Sequence, residues 1–188
     1  MFKRILRNWH RYVFWAVISG IFVAWLFSLV TEKPAKQKVV LFADLPEIRS
    51  TALEIALEED KPEGIAYVQA ALFDYAIIDQ TEVMDGDLFL VPEPHMELFV
   101  ASFAPIDRDR FPGQTFYEHE GKAYGILVSD PQAGVDVGGA YIAYYADVRC
   151  YLCFNKDSVH LGAVNDSADD AAIAIAQRFM TLQGGTNQ

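Results

Sequence analysis

The chain has 188 residues, with 15 basic and 26 acidic side chains and a formal net charge of −11. Eleven of the basic residues and all 26 acidic ones follow residue 30, so that part carries a net charge of −15. Because so negative a surface repels phosphate backbones and anionic headgroups, nucleic acid and anionic lipid headgroups are excluded as its ligands, whereas a cationic or neutral solute or a basic partner stays open.

The first predicted element is an uncharged, proline-free apolar stretch at residues 12–30, Y-V-F-W-A-V-I-S-G-I-F-V-A-W-L-F-S-L-V. As a helix it would be roughly 28 Å long, close to the ~30 Å hydrocarbon core of a bilayer. The tail at residues 1–11 holds basic residues and no acidic ones. This charge bias predicts a cytoplasmic N-terminus and a C-terminal domain outside the cell.

Two alternatives to a membrane helix are weaker. A buried helix of a soluble core is rarely apolar on all faces over this length. A cleaved signal peptide has the same outline, but its apolar part is shorter and an A-x-A-like site follows it, which Thr31-Glu32-Lys33-Pro34 does not provide. We therefore expect an uncleaved signal anchor, a single-pass protein of the cell membrane, and a short linker at residues 31–38.

Residues 39–183 carry the pattern of one extracytoplasmic α/β domain, followed by a flexible tail at residues 184–188. Continuous apolar runs at 39–43, 65–72 and 88–91 are typical of strands buried on both faces of a sheet. Strand, helix, strand, short crossover and strand in this order predict an α/β fold with a mostly parallel or mixed sheet.

The first helix of this domain is predicted to begin at Asp44-Leu45-Pro46-Glu47, a D-x-x-E capping box with proline in the first turn. It should run to about residue 59, with its apolar face formed by Ile48, Ala52, Ile55 and Ala56. Negative charge at the C-terminal end of a helix is unfavourable. Glu58, Glu59 and Asp60 lie at that end, and nothing in the local sequence explains them.

The second half is predicted to contain more antiparallel elements. A short helix at 93–101 precedes strands at 114–118 and 122–129, joined by a hairpin at Glu120-Gly121. After a loop at 130–139, strands follow at 141–145 and 151–155. A last helix should be capped by Asn165-Asp166-Ser167, which also matches a glycosylation sequon, with its apolar face at Ala172, Ile175, Ala176 and Phe179.

Three phrases of the domain resemble those of extracellular solute-binding proteins of ABC importers. They are G-K-A-Y-G-I-L-V at 121–128, Y-L-C-F-N-K-D-S at 151–158 and M-D-G-D-L-F-L-V at 84–91. The resemblance implies a periplasmic-binding-protein-like fold and a transport-related binding role. Since the domain has room for one lobe only, the resemblance implies a single lobe without a ligand enclosed between two.

Open α/β sheets bind ligands at the carboxyl ends of their strands. That rule selects Asp44, Glu47, Tyr75 and Glu93 as candidate ligand-binding residues, although Asp44 also suits a plain helix cap. We expect a membrane-anchored extracytoplasmic module that binds a small polar solute or interacts with a membrane protein. The alternative is a structural or assembly accessory subunit of a membrane complex without a small-molecule ligand.

Catalytic, cofactor and metal signatures are weak, so the sequence predicts no enzyme, no cofactor and no metal site. Its four histidines lack metal-ligand spacing. Glu118-His119-Glu120 at the hairpin tip could hold a hard cation, but a solvated turn explains it better. Cys150 and Cys153 lie three apart in a predicted strand and so point to opposite faces, which favours two buried small side chains over a disulfide or a redox pair.

Overall fold

The computed structural model describes residues 9–31, 35–73, 86–162, 169–182 and 184 of the chain. These residues fall into two compact units, Met1–Pro34 and Ala35–Gln188.

The first unit contains one helix, α1, at Trp9–Thr31. Its described side chains are those of Trp9 and residues 13–26, and the bulky apolar ones among them are exposed. Within the described part of the chain, no helix is both long and apolar enough to cross a membrane. The predicted anchor at 12–30 is helical throughout.

The second unit contains alternating helices and strands in its described residues. The first half comprises β1 (Lys38–Ala43), β2 (Glu47–Ile48), α2 (Ser50–Glu58), β3 (Tyr67–Leu72), β4 (Leu88–Pro92) and α3 (Glu93–Phe99). The second half comprises β5 (Phe116–His119), β6 (Lys122–Asp130), β7 (Val135–Asp136), β8 (Ile142–Ala143), β9 (Cys150–Phe154) and α4 (Ala171–Met180).

Seven of the described strands form one mixed sheet with the order β3-β1-β4-β9-β6-β5, and β7 pairs with β6. β1 runs parallel to β3 and β4, whereas β9 is antiparallel to both β4 and β6. β2 and β8 form a separate two-stranded pair. The predicted α/β class with a mixed sheet is therefore confirmed.

The two faces of the sheet are covered unequally. On one face, α2 and α4 pack over the larger core, which includes Leu41, Leu90, Leu152 and Phe179. On the other face, α3 places Met96 over a smaller cluster that includes Phe89 and Cys153. The alternation of strand residues assigns each side chain to a face, so Cys150 lies in the first core and Cys153 in the second.

Gly125 allows this close packing on the second face. A Cβ atom there would lie 2.8 Å from Cβ of Tyr151 and 3.1 Å from Cε of Met96. The thiols of Cys150 and Cys153 are both buried and form no disulfide, as the sequence predicted.

The predicted start of the first helix is wrong. Glu47–Ile48 is a strand, and α2 begins at Ser50. The Asp44 side chain does not cap a helix, because its carboxylate contacts the His95 ring, 51 residues away. The buried face of α2 consists of Leu53, Ala56 and Leu57, so the predicted face shifts around the helix and Ile55 is exposed.

The acidic end of α2 has tertiary partners. Glu59 and Asp60 form ion pairs with Arg178 of α4. Glu58 accepts a hydrogen bond from the N–H of Val68, and Glu54, one turn earlier, accepts one from the N–H of Ala70. Because β3 is an end strand of the sheet, these two carboxylates occupy backbone donors that would otherwise be exposed at its edge.

The predicted hairpin and last helix are confirmed. Glu120 and Gly121 both have positive φ, 49° and 77°, as a two-residue type I′ turn requires. The predicted apolar face of α4 is buried. The predicted strand at 141–145 is only the two residues of β8, and the predicted loop at 130–139 contains β7. The predicted cap of the last helix at 165–167 is wrong, because α4 begins at Ala171 with Asp170 as its N-cap. Residues 165–167 themselves, and most of the crossover predicted between 65–72 and 88–91, lie outside the described residues.

A candidate binding cleft at the carboxyl edge of the sheet

The parallel arrangement of β1, β4 and β6 places their carboxyl ends at one edge of the sheet. β6 runs the same way as β4 because both are antiparallel to β9, which lies between them. At this edge the chain forms an open cleft of about 680 Å³. The cleft lies where ligands bind in open α/β sheets.

Three segments form the cleft. The segment after β1 contributes Glu47 and Arg49, the loop from the end of β6 through β7 contributes Asp130 and Asp136, and the segment at 139–146 contributes tyrosines. The backbone N–H of Arg49 donates to the carbonyl of Tyr141 at 2.8 Å, which fixes the first segment to the third. The tyrosines lining the cleft are Tyr141, Tyr144 and Tyr145.

Asp130 is the best-anchored charged group of the cleft. Its Oδ1 accepts hydrogen bonds from the N–H groups of Gln132 and Ala133 at 2.9 and 3.1 Å, and its Oδ2 accepts one from Nε of Arg149 at 2.8 Å. Burial alone would raise the pKa of Asp130, but these donors outweigh it and hold the pKa below its usual value. The same pairing raises the pKa of Arg149, so both groups are charged at neutral pH.

A second, smaller pocket of about 290 Å³ adjoins the cleft, because Asp130 and Pro131 line both. Glu93, Asp147 and Arg149 complete its polar wall. The hydroxyl of Tyr151 donates to Oε1 of Glu93 at 3.4 Å. Burial, together with the nearby Glu93 carboxylate, raises the pKa of Tyr151 to about 12, so this phenol is a hydrogen-bond donor and not a base.

Asp44 and His95 form a pair beside these pockets. Oδ2 of Asp44 lies 2.5 Å from Nδ1 of His95, with the carboxylate almost completely buried. The N–H of Asp44 donates to the carbonyl of Leu90, which ties the end of β1 to β4. The pair therefore joins the two strands and the start of α3 at the edge.

The four predicted site residues have different positions. Glu47 lines the larger cleft, and Glu93 lines the smaller pocket. Asp44 lies at the same edge, but it lines neither pocket and contacts His95 instead. Tyr75 lies outside the described residues. The rule that ligands bind at the carboxyl edge therefore selected two residues that line its cavities.

The sequence did not identify Asp130, Arg149 or the three tyrosines as parts of a site. Asp130-Pro131 has a recognisable signal, because aspartate before such a turn commonly accepts hydrogen bonds from the backbone two residues on. Arg149 and the tyrosines carry no such local signal. Their position depends on how the segment before β9 folds back over β2.

The two cysteines and Tyr144 are held in their protonated forms. Burial raises the pKa of Cys150 to about 12 and that of Cys153 well above its usual value, so neither thiol forms a thiolate at neutral pH. Burial also raises the pKa of Tyr144, whose hydroxyl donates to the carbonyl of Val137. The described residues contain no group of three or more His, Cys, Asp or Glu side chains placed to hold a metal ion.

A scan against protein-family models finds no match to this chain. Searches of the curated proteins and of the solved structures find no significant similarity either.

Proposed function

We propose that this protein is a membrane-anchored module that binds a small polar solute outside the cell, in a domain resembling one lobe of a solute-binding protein. The observation that carries the proposal is the open cleft at the carboxyl edge of the sheet. A cavity of this size with a few fixed polar groups is typical of small-ligand sites. The polar groups here are supplied by Glu47, Asp130 and Asp136.

The anchor is proposed from α1 together with the apolar sequence at residues 12–30, which extends beyond the side chains that the structure describes. The helix is 23 residues long, which corresponds to roughly 34 Å at the α-helical rise. Its exposed apolar side chains include Phe14, Val17, Ile21 and Val23. Exposed apolar surface on every side of a helix is unfavourable in water and is favourable among lipid chains. The basic residues before it orient the binding domain away from the cytoplasm.

The alternative function is that of an accessory subunit of a membrane complex, without a small-molecule ligand. Leu98 on α3 supports it, because this large apolar side chain is 66% exposed. In this alternative the domain would contact a partner protein through the α3 side of the sheet. A partner there requires no cleft.

The test is a calorimetric melting screen of the full-length protein in an uncharged detergent, with sugars, amino acids, oligopeptides and polyamines. A ligand present at a hundred times its dissociation constant stabilises the folded state by about 2.7 kcal/mol. For a domain of this size, that corresponds to a rise in Tm of roughly 5–10 °C. A saturable rise with one class of solute is the expected result. A cooperative melt that no solute shifts would contradict the proposal and favour the accessory subunit.

A further inference from the structure

We infer that the cleft at the carboxyl edge binds an organic cation. This inference rests on the proposed function, because it names the chemical class of the ligand for the same site. It follows from three observations: the shape of the cleft, the tyrosines along one wall and the balance of charge around the opening.

The tyrosine wall comes from the segment between β7 and β9. Tyr141, Tyr144 and Tyr145 line the cleft within five residues of chain, and each is partly buried against the main core. Aromatic rings held by packing lose little entropy on binding, and their faces attract cations. A neutral or cationic ligand gains from these rings, whereas an anion does not.

The balance of charge around the opening distinguishes a cationic ligand from a neutral one. Five carboxylates and two guanidinium groups line the cleft and the adjoining pocket. Arg149 is neutralised by its hydrogen-bonded ion pair with Asp130, and Arg49 directs Nη1 to the carbonyl of Ala140 at 3.4 Å. The remaining carboxylates give the opening a negative potential, which favours a cation.

Glu47 is the carboxylate best suited to contact such a ligand. It is exposed on the short strand β2, it lines the cleft, and it forms no ion pair with any described side chain. Glu118 and Glu59, in contrast, are exposed acids that already pair with arginines. Glu47 therefore remains available to a ligand's positive charge.

The geometry favours an organic cation over a metal ion. A hard metal ion requires several oxygen ligands converging at about 2.3–2.6 Å. The described residues contain no group of three or more candidate ligands arranged in this way. An open cleft lined by tyrosine rings and by separate carboxylates suits an ammonium or quaternary ammonium group on a carbon skeleton.

The experiment compares ligands of one shape and three charges on the full-length protein in an uncharged detergent. Choline is the cation, 3,3-dimethylbutanol is its neutral analogue and 3,3-dimethylbutyrate is its anionic analogue, with spermidine as a primary-amine cation. Isothermal titration calorimetry measures each affinity at low and high salt. We expect saturable binding of a cation that weakens as salt screens the charges, weaker binding of the neutral analogue and no binding of the anionic one.

Two substitutions test the location of the cation. Glu47→Gln should weaken cation binding about two- to fivefold, the range for one partly exposed ion pair, and Glu47→Lys should weaken it further. Glu63→Gln is the matched control: it removes the same charge from an exposed glutamate in the turn before β3, at the opposite edge of the sheet. It should leave the affinity unchanged.

The outcomes separate this inference from the proposed function. If the neutral or anionic analogue binds as tightly as choline, or if only another uncharged or anionic solute binds, the inference that the ligand is a cation is wrong. The proposed function as a binding module would then still stand. If both Glu47 variants bind the cation as tightly as the wild-type protein, the cation does not bind in the cleft beside Glu47. If no solute of any class binds the folded protein, both proposals fail.

Discussion

At the scale of single residues, Asp130 shows how the cleft keeps a fixed negative charge next to an apolar core. Its carboxylate is almost completely buried, whereas the guanidinium that pairs with it is 47% exposed. The two backbone N–H groups of the turn after β6 supply the remaining hydrogen bonds. One carboxylate therefore fixes both the turn at 131–134 and the orientation of Arg149.

This arrangement predicts a specific loss of stability in acid. The folded-state pKa of Asp130 lies below 3.8, the ordinary value for an aspartate. The stability due to its ionised form is therefore present above about pH 4, and it is lost as the pH falls through the lower folded-state pKa. Asp130→Asn should lower the urea midpoint at pH 7 and make it less dependent on pH between about 4 and 2 than in the wild-type protein.

The control for this prediction is Asp109→Asn, which changes an exposed aspartate in the 3₁₀ turn Arg108–Arg110. It should leave both the midpoint at neutral pH and the acid dependence close to those of the wild-type protein. If Asp130→Asn retains the full acid dependence, the carboxylate is not held ionised by its donors.

At the scale of secondary-structure elements, the edge of β3 is protected by side chains of the preceding helix and turn. Glu58 and Glu54 accept from the N–H groups of Val68 and Ala70, and Nζ of Lys61 donates to the carbonyl of Ala66, just before the strand. Unpaired strand edges are sites of aggregation. These three side chains supply partners that a neighbouring strand would otherwise provide.

We therefore predict that Glu54→Ala/Glu58→Ala both destabilises the domain and promotes self-association. Losing each charged acceptor should cost about 1–3 kcal/mol, and the exposed donors should pair with another copy. Analytical ultracentrifugation of the variant in detergent would measure the shift to dimers or larger species. The variant Glu54→Gln/Glu58→Gln keeps an oxygen acceptor at each position and should stay close to wild type in mass, as should Glu63→Ala. A double-alanine variant with unchanged mass would contradict a protective role.

The same elements show what the sequence can and cannot predict. β1, β4 and β9 are recognisable because both faces of each strand are buried, which leaves a continuous apolar run. The β5–β6 hairpin is recognisable because Gly121 permits a positive φ. In each case the structural cause lies within a few residues, so a local pattern records it.

The failures have distant causes. The capping box at Asp44 does not form, because His95 takes its carboxylate. Glu59 is unexplained locally because its partner, Arg178, lies 119 residues away. Topology alone directed the sequence prediction to the edge where the cleft lies, but the tyrosines of the cleft depend on the path of the segment before β9. A contact between two residues far apart in the chain leaves no pattern in the sequence around either residue.

At the scale of the whole molecule, α1 and the domain make separate contributions to the proposed function. The domain has a core of its own, with α2, α4 and α3 packed on the two faces of its sheet. α1 exposes apolar side chains around its surface. Membrane attachment is therefore expected to depend on α1 alone.

Charges introduced in the middle of α1 should release the protein from membranes. Arginine at the centre of a membrane helix costs about 2.5–3.5 kcal/mol on insertion scales, so Val17→Arg/Ile21→Arg should abolish retention after an alkaline wash. Leu98→Arg makes the same kind of change at an exposed apolar position of α3 and should leave retention unchanged. If the double variant stays with the membrane fraction as fully as the wild-type protein, α1 is not the anchor.

The protected edge of β3 also limits how many copies can join by extending their sheets. β3 and β5 are the two end strands of the main path of the sheet. With the N–H groups of Val68 and Ala70 on β3 occupied, β5 is the end strand of the described sheet that remains to accept a strand from another molecule. Two molecules joined through β5 form a closed pair, because each then ends in a protected β3. Growth into a fibre needs two open edges per molecule, so extension through the described strands of this sheet is expected to stop at the dimer.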